Sequence, residues 1–182
     1  ARLVTCHKGG WATVGTGDDD DDDKAASGGD KERCNGFGGA VVIAAAGNQA
    51  SEKIRVYPAG ETSDGLLSVA ASSSDGRLAP FSNFGWVKVA APGDGITSAL
   101  PSGGYATWSG TSMSSALAAG VAALVIAANP ALSNSQVVNL LCSTAVDLGA
   151  SGRDDSYGFG RVNAAAAISA AGGPPPPADT TA

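Results

Sequence analysis

The chain has 182 residues, of which 43% are hydrophobic and 15% charged, with a formal net charge of -6. That length and apolar content suffice for one domain with a buried core and exclude a chain disordered throughout. The acidic balance, with no cluster of Lys and Arg, excludes binding along a phosphate backbone, so no nucleic-acid partner is expected.

Residues 1–38 show little periodicity and are expected to be poorly ordered. They hold the aspartate run Asp18 to Asp23, followed by Lys24, and the mixed-charge piece Asp30-Lys31-Glu32-Arg33. A run of like charges reads as a solvated, self-repelling linker before it reads as a cation-binding tract, and its form also matches a protease-cleavable linker. Three cysteines, Cys6, Cys34 and Cys142, allow one disulfide with a thiol left over, and none forms a Cys-x-x-Cys pair. His7 is the single histidine, so no metal-ligand set is expected.

Character changes at Gly39, where a domain spanning 39–171 is expected to begin. Ala40 to Ala46 is a continuous apolar run ending in Gly47-Asn48, the pattern of a strand buried on both faces of a parallel sheet. Leu66 to Ala71 and Val87 to Ala91 read as further strands, and Tyr105 to Trp108 as one more. Ser112 to Ala128 carries no charge and is apolar nearly all round, which predicts a helix buried in the middle of the domain, stopped by Asn129-Pro130. No apolar stretch of membrane-spanning length free of breakers is expected, and hence no membrane partner. Ser133 and Gln136 have the form of a capping box opening an amphipathic helix to about Ala145, and Asn163 to Ala171 is a third helix. Residues 172–182, with four consecutive prolines, form a tail or linker that cannot join the core.

The chemistry-bearing stretch is Ser109-Gly110-Thr111-Ser112-Met113, a glycine turn directly before the charge-free helix. It puts the Ser112 hydroxyl at a helix N-terminus, where unpaired N–H groups favour negative charge developing on a nearby oxygen. A lone serine there is more often only a capping residue.

Gly110-Thr111-Ser112-Met113 resembles the nucleophile motif of the subtilase family of serine proteases. Ala45-Ala46-Gly47-Asn48, with Asn48 lying 64 residues before Ser112, resembles the strand end that bears that family's oxyanion-hole asparagine. Val56-Tyr57-Pro58-Ala59, Phe81-Ser82-Asn83-Phe84-Gly85, Val89-Ala90-Ala91-Pro92-Gly93 and Tyr157 to Ala164 are similar to the same family. The likeness extends from about Gly39 to Ala170.

The resemblance implies an α/β, three-layer fold with a mostly parallel sheet, incomplete at its N-terminal side. It implies a secreted serine endopeptidase acting on peptides or proteins through an acyl-enzyme on Ser112, with an oxyanion hole from Asn48 and the Ser112 N–H. Ala45, Ala46, Gly47, Tyr57 and Pro58 would wall the primary specificity pocket, and Pro58 is a candidate for the family's cis bond. Calcium is the cofactor suggested by the likeness, although no loop shows a recognisable ligand spacing.

Serine needs a base to take its proton, and in this family a histidine, held by an aspartate, does so. The chain has neither the Asp-Ser/Thr-Gly nor the His-Gly-Thr-His pattern. His7 lacks that context and lies too close to Asn48, as does Ser27-Gly28-Gly29, which faintly resembles a substrate-binding strand. Ala116 also replaces the proline usual after the family's serine. Two alternatives to a working protease follow: a catalytically incomplete remnant, or a peptide-binding half-domain without turnover. A parallel sheet lacking its first strands would expose an edge, so self-association is expected.

Overall fold

The computed structural model describes residues 39–173, together with the backbone of two short strands, β1 (Val4–His7) and β2 (Gly10–Thr13). These two pair antiparallel, with Val4 opposite Thr13 and His7 opposite Gly10. They lie within the segment expected to be poorly ordered, and Val4, Thr5, Trp11 and Thr13 are strand-forming residues flanking a short glycine-containing link. The aspartate run, Cys34 and the prolines from Pro174 onward lie outside the described residues.

Three strands build the sheet, β3 (Val42–Ala45), β4 (Leu66–Ser72) and β5 (Val89–Pro92), in the order β3-β4-β5 and all parallel. Val42 faces Leu66, and Val69 faces Val89. Every residue of central β4 is buried, as its mostly apolar sequence suits, with Ser68 and Ser72 buried among the apolar side chains. Alternate residues serve the two faces. Leu67 and Val69 of β4, with Val89 and Ala91 of β5, face one cluster, while Ala70 and Ala90 face a second one with Ala46 and Val87. β3 was expected to be buried on both faces, yet Val42, Ile43 and Ala45 are only half-buried, because β3 is the edge of this three-stranded order.

The helices α1 (Thr111–Ala128), α2 (Asn134–Ser143) and α3 (Ala164–Ala170) all pack on the first cluster. α1 lies across all three strands. Its stripe Ser114, Ala118, Ala122 and Val125, at helical spacing, is buried, and the three small side chains let it approach the sheet closely. Burial all round does not hold: Leu117 is 43% exposed, Leu124 52% and Ile126 40%, because they lie off the face that meets the sheet and the other helices. This 18-residue helix is also long and apolar enough, with a mean hydropathy of 1.8, to cross a membrane, contrary to the expectation that no such stretch exists. Its sheet-facing stripe is that of a core helix.

The capping box forms as expected, with Gln136 N donating to Ser133 Oγ at 3.3 Å and Ser133 N to Gln136 Oε1 at 2.8 Å. Asn163 caps α3 through its side chain, accepting from Ala166 N. On the other face of the sheet, loop residues Leu78, Trp86 and Tyr157 cover the second cluster. Helices therefore occupy one face and loops the other among the described residues, which display the parallel α/β character but not a helical third layer. Tyr105–Trp108 is strand β7, and it pairs antiparallel with β6 (Ile96–Ala99), a strand with no signal beyond Ile96 and Thr97. Both carry exposed residues, so no alternating core pattern marked β6 in the sequence.

Candidate active site

The C-terminal ends of β3 and β5 and the N-terminus of α1 meet at one edge of the sheet. Gly93, just past β5, accepts from Gly110 N at 2.7 Å and donates its own N–H to Ser72 O at 2.9 Å. Ser114, fully buried, donates its hydroxyl to Ala91 O at 3.0 Å, pinning the first turn of α1 to β5. A hydroxyl facing into the core at the start of a helix thereby anchors the turn that carries Ser112.

Gly47 ends β3 with φ of 100°, a left-handed conformation that suits glycine. A Cβ there would also meet Val56 Cγ2 and Gln49 Oε1 at 2.6 Å and Asn83 Nδ2 at 2.7 Å. The chain turns at this point and presents Asn48 towards α1. Thr111, itself buried, accepts from Gly47 N at 3.0 Å and donates its hydroxyl to Asn48 Oδ1 at 2.9 Å. Its backbone N–H reaches the same Oδ1 at 2.9 Å. Two donors on Oδ1 leave only one orientation for the carboxamide, with Nδ2 turned away from Thr111.

Nδ2 faces the space above Gly110. A methyl group on Gly110 would stand 3.4 Å from Asn48 Nδ2 and 3.8 Å from Ser112 N. Gly110 has φ of 161°, extended backbone open to any residue, so the glycine here keeps space free and is not needed for the turn. Thr111 N–H is taken by Asn48 and Met113 N–H by Gly110 O at 3.0 Å. Ser112 N–H and Asn48 Nδ2 are left without partners among the described residues, and both lie within 4 Å of where a Cβ on Gly110 would stand. Ser112 and Asn48 are exposed. Two aimed donors beside a hydroxyl at a helix N-terminus suit an anion or an oxygen acquiring charge.

The sequence pattern of the subtilase family matches residues 11–160. The chain belongs to the subtilase family. Subtilisin DY of Bacillus licheniformis is 44% identical over 133 residues, covering 71% of this chain and 47% of its own length. The halolysin-like extracellular serine protease Nep of Natrialba magadii is 42% identical over 131 residues, again 71% of this chain but 23% of that protein. Among solved structures, a Pseudoalteromonas arctica protease superposes with a TM-score of 0.66 at 33% identity, over 78% of this chain and 45% of that one. This subtilase chain spans less than half the length of these relatives.

The expected pocket residues Ala45, Ala46 and Gly47 close β3, and the loop carrying Tyr57 and Pro58 comes next to them through Val56, whose side chain lies against Gly47. The Tyr57–Pro58 bond is cis. Ala46 is wholly buried and Tyr57 is 64% exposed, so what these residues offer a ligand is backbone on one side and an aromatic ring on the other. A formed surface cavity of about 300 Å³ lies elsewhere, lined by Glu52, Lys53, Arg55, Gly85, Trp86 and Asp155. It contains none of the expected site residues.

His7 lies in β1. Among the described residues no three His, Cys, Asp or Glu side chains come together to hold a metal. The displaced titrations lie away from Ser112. Burial holds the Lys88 ammonium below its ordinary range, against the opposing pull of Cys142 and Asp64, while its Nζ donates to Leu66 O at 2.7 Å. Burial pushes the Cys142 thiol up to about 11, with Lys88 and Arg153 acting in the other direction. Sequence reasoning missed the role of Thr111, although it lies inside the quoted motif. Its place inside that motif was the available signal, since the burial of its hydroxyl is decided by packing.

Proposed function

We propose that this chain supplies the nucleophile and oxyanion-stabilising half of a serine endopeptidase. Ser112 Oγ attacks the scissile carbonyl of a peptide, the leaving amine departs, and water hydrolyses the resulting acyl-enzyme. Asn48 Nδ2 and Ser112 N–H receive the carbonyl oxygen as it gains charge. The observation carrying this reading is the convergence of those two donors on the space above Gly110, with Asn48 Oδ1 tied back by Thr111. Preorganised donors cost no reorientation when the charge develops.

The backbone of Ala45, Ala46 and Gly47 and the Tyr57-Pro58 turn form the walls of the primary specificity pocket in this proposal. The base that takes the Ser112 proton comes from sequence outside these 182 residues, since the family's aspartate and histidine patterns do not occur in them. Secretion is inferred from relatives such as the one named extracellular. The edge position of β3 among the described residues and the apolar outer face of α1 support self-association of the chain by itself.

The test is labelling of the purified chain by a fluorophosphonate probe, with added imidazole standing in for the base. Labelling is expected to depend on imidazole and to vanish in Ser112→Ala. Asn48→Ala should slow it by about 3 kcal/mol in barrier, the scale known for the same loss in subtilisin and not one worked from this geometry. A folded chain that imidazole cannot activate would defeat the proposal and favour a half-domain that binds without turnover.

A further inference from the structure

We infer that Asn83, far from the nucleophile in sequence, is the positioning residue that sets the backbone of Asn48 and the spacing of the adjoining pocket walls. The inference rests on reading Asn48 as an oxyanion donor. Asn83 is wholly buried, and its polar groups close on both neighbours of Asn48. Its N–H donates to Gly47 O at 2.9 Å, and its Oδ1 accepts from Gln49 N at 3.0 Å and Ser51 N at 3.2 Å. Its Nδ2 donates to Ala46 O at 2.9 Å, to Gln49 Oε1 at 2.8 Å and to Ile54 O at 3.3 Å.

The turn so held is not one the chain would keep unaided. Ala50 sits at φ of 51°, a left-handed conformation that disfavours residues bearing a Cβ, and its N–H is fixed by Phe81 O at 2.8 Å. Phe84 N in turn donates to Ser51 O. The segment 81–84 is tied to the sheet because Ser82 Oγ accepts from Ala71 N at 2.9 Å and donates to Asn83 O at 3.0 Å. A rigid path therefore runs from β4 through Ser82 and Asn83 to the residues on each side of Asn48. Thr111 fixes the Asn48 side chain, and Asn83 fixes the backbone from which it projects.

The same carboxamide joins Ala46 O, at the β3 end, to Ile54 O, two residues before Val56. It thus sets the gap between the two segments proposed as pocket walls. Removing it leaves two backbone carbonyls, the Gln49 amide oxygen and two N–H groups to find other partners, and the turn relaxes around Asn48. A shift of about 1 Å in such a donor is enough to slow a reaction by up to about a hundredfold.

The experiment compares the full chain with Asn83→Ala, Asn48→Ala and the double variant, using hydrogen exchange by mass spectrometry and imidazole-assisted fluorophosphonate labelling. In Asn83→Ala, exchange should rise about tenfold or more across residues 46–54 while β4 and β5 keep their protection. Labelling should fall about tenfold, and with a small probe that leaves the specificity pocket empty the double variant should label no more slowly than Asn48→Ala, because the effect of Asn83 on such a probe runs through that residue. Exchange that is unchanged at 46–54, or that rises equally throughout the chain, overturns the inference. So does an additive loss in the double variant. Should Asn83→Ala not fold, the near-isosteric Asn83→Asp keeps the acceptor and removes the donor, and it is judged by the same readings. If wild-type Ser112 fails to label, the oxyanion reading fails while exchange at 46–54 still decides whether Asn83 holds the turn.

Discussion

Replacing Thr111 by valine keeps the shape of a buried side chain and removes only its hydroxyl. That hydroxyl accepts from Gly47 N at 3.0 Å and donates to Asn48 Oδ1 at 2.9 Å. Since valine fills nearly the same volume, no cavity term enters, and the loss is one of hydrogen bonds. The Gly47 N–H loses its acceptor in a partly buried place, which costs on the order of 1–3 kcal/mol of stability. Asn48 Oδ1 still holds the Thr111 backbone N–H at 2.9 Å, so the carboxamide loosens without being released. The expected result is a lower urea midpoint and imidazole-assisted labelling of Ser112 that lies between wild type and Asn48→Ala. Thr111→Ser, which restores the hydroxyl, should recover most of the labelling. Equal labelling in Thr111→Val and wild type would refute the argument that this hydroxyl orients Asn48. Labelling as slow as in Asn48→Ala would show that the backbone bond alone holds nothing.

Two further outcomes follow from the packing. Cys142 has its thiol held near 11 by burial, against an ordinary value of 9.0, so at pH 8 the folded chain should alkylate with iodoacetamide about a hundredfold more slowly than the urea-unfolded chain. The sign carries over to stability: the unfolded thiol ionises first, so this contribution is present below about pH 9 and is lost as pH rises towards 11. Titrating the urea midpoint across that window is the check: the wild-type midpoint should fall relative to that of Cys142→Ser, in which the Lys88 contribution remains. Leu124, 52% exposed on the outer face of α1, should tolerate Leu124→Lys with a change within about 0.5 kcal/mol. Sedimentation should show less association in that variant, and unchanged association would remove this face as its cause.

The local rules were sufficient for the helices and for most of the sheet. The capping serine and glutamine marked where α2 begins, Asn129-Pro130 marked where α1 ends, and short stretches rich in Val, Leu and Ala marked β3, β4 and β5. These signals depend on residues a few positions apart, and a linear reading captures them. β6 escaped because its short run lies on an exposed hairpin with no buried face to impose alternation. The full burial expected of α1 and β3 also failed, since apolar character states what a surface prefers and not whether a partner meets it.

Of the candidate site, the stretches Ala45-Ala46-Gly47-Asn48 and Gly110-Thr111-Ser112-Met113 were legible through their resemblance to a known family, because each is contiguous in the chain. Their meeting above Gly110, the carboxamide orientation set by Thr111 and the clamp formed by Asn83 were decided by tertiary structure. Each of these joins groups distant along the chain, as in the bond between Asn83 Nδ2 and Ala46 O or that between Thr111 Oγ1 and Asn48 Oδ1. A hydrogen bond exists only when donor and acceptor stand within about 3 Å in the right direction, and no composition or spacing specifies that. The sequence alone determined which groups are available to do chemistry; the parallel packing of β3, β4 and β5 under α1 decided which of them point at the same place.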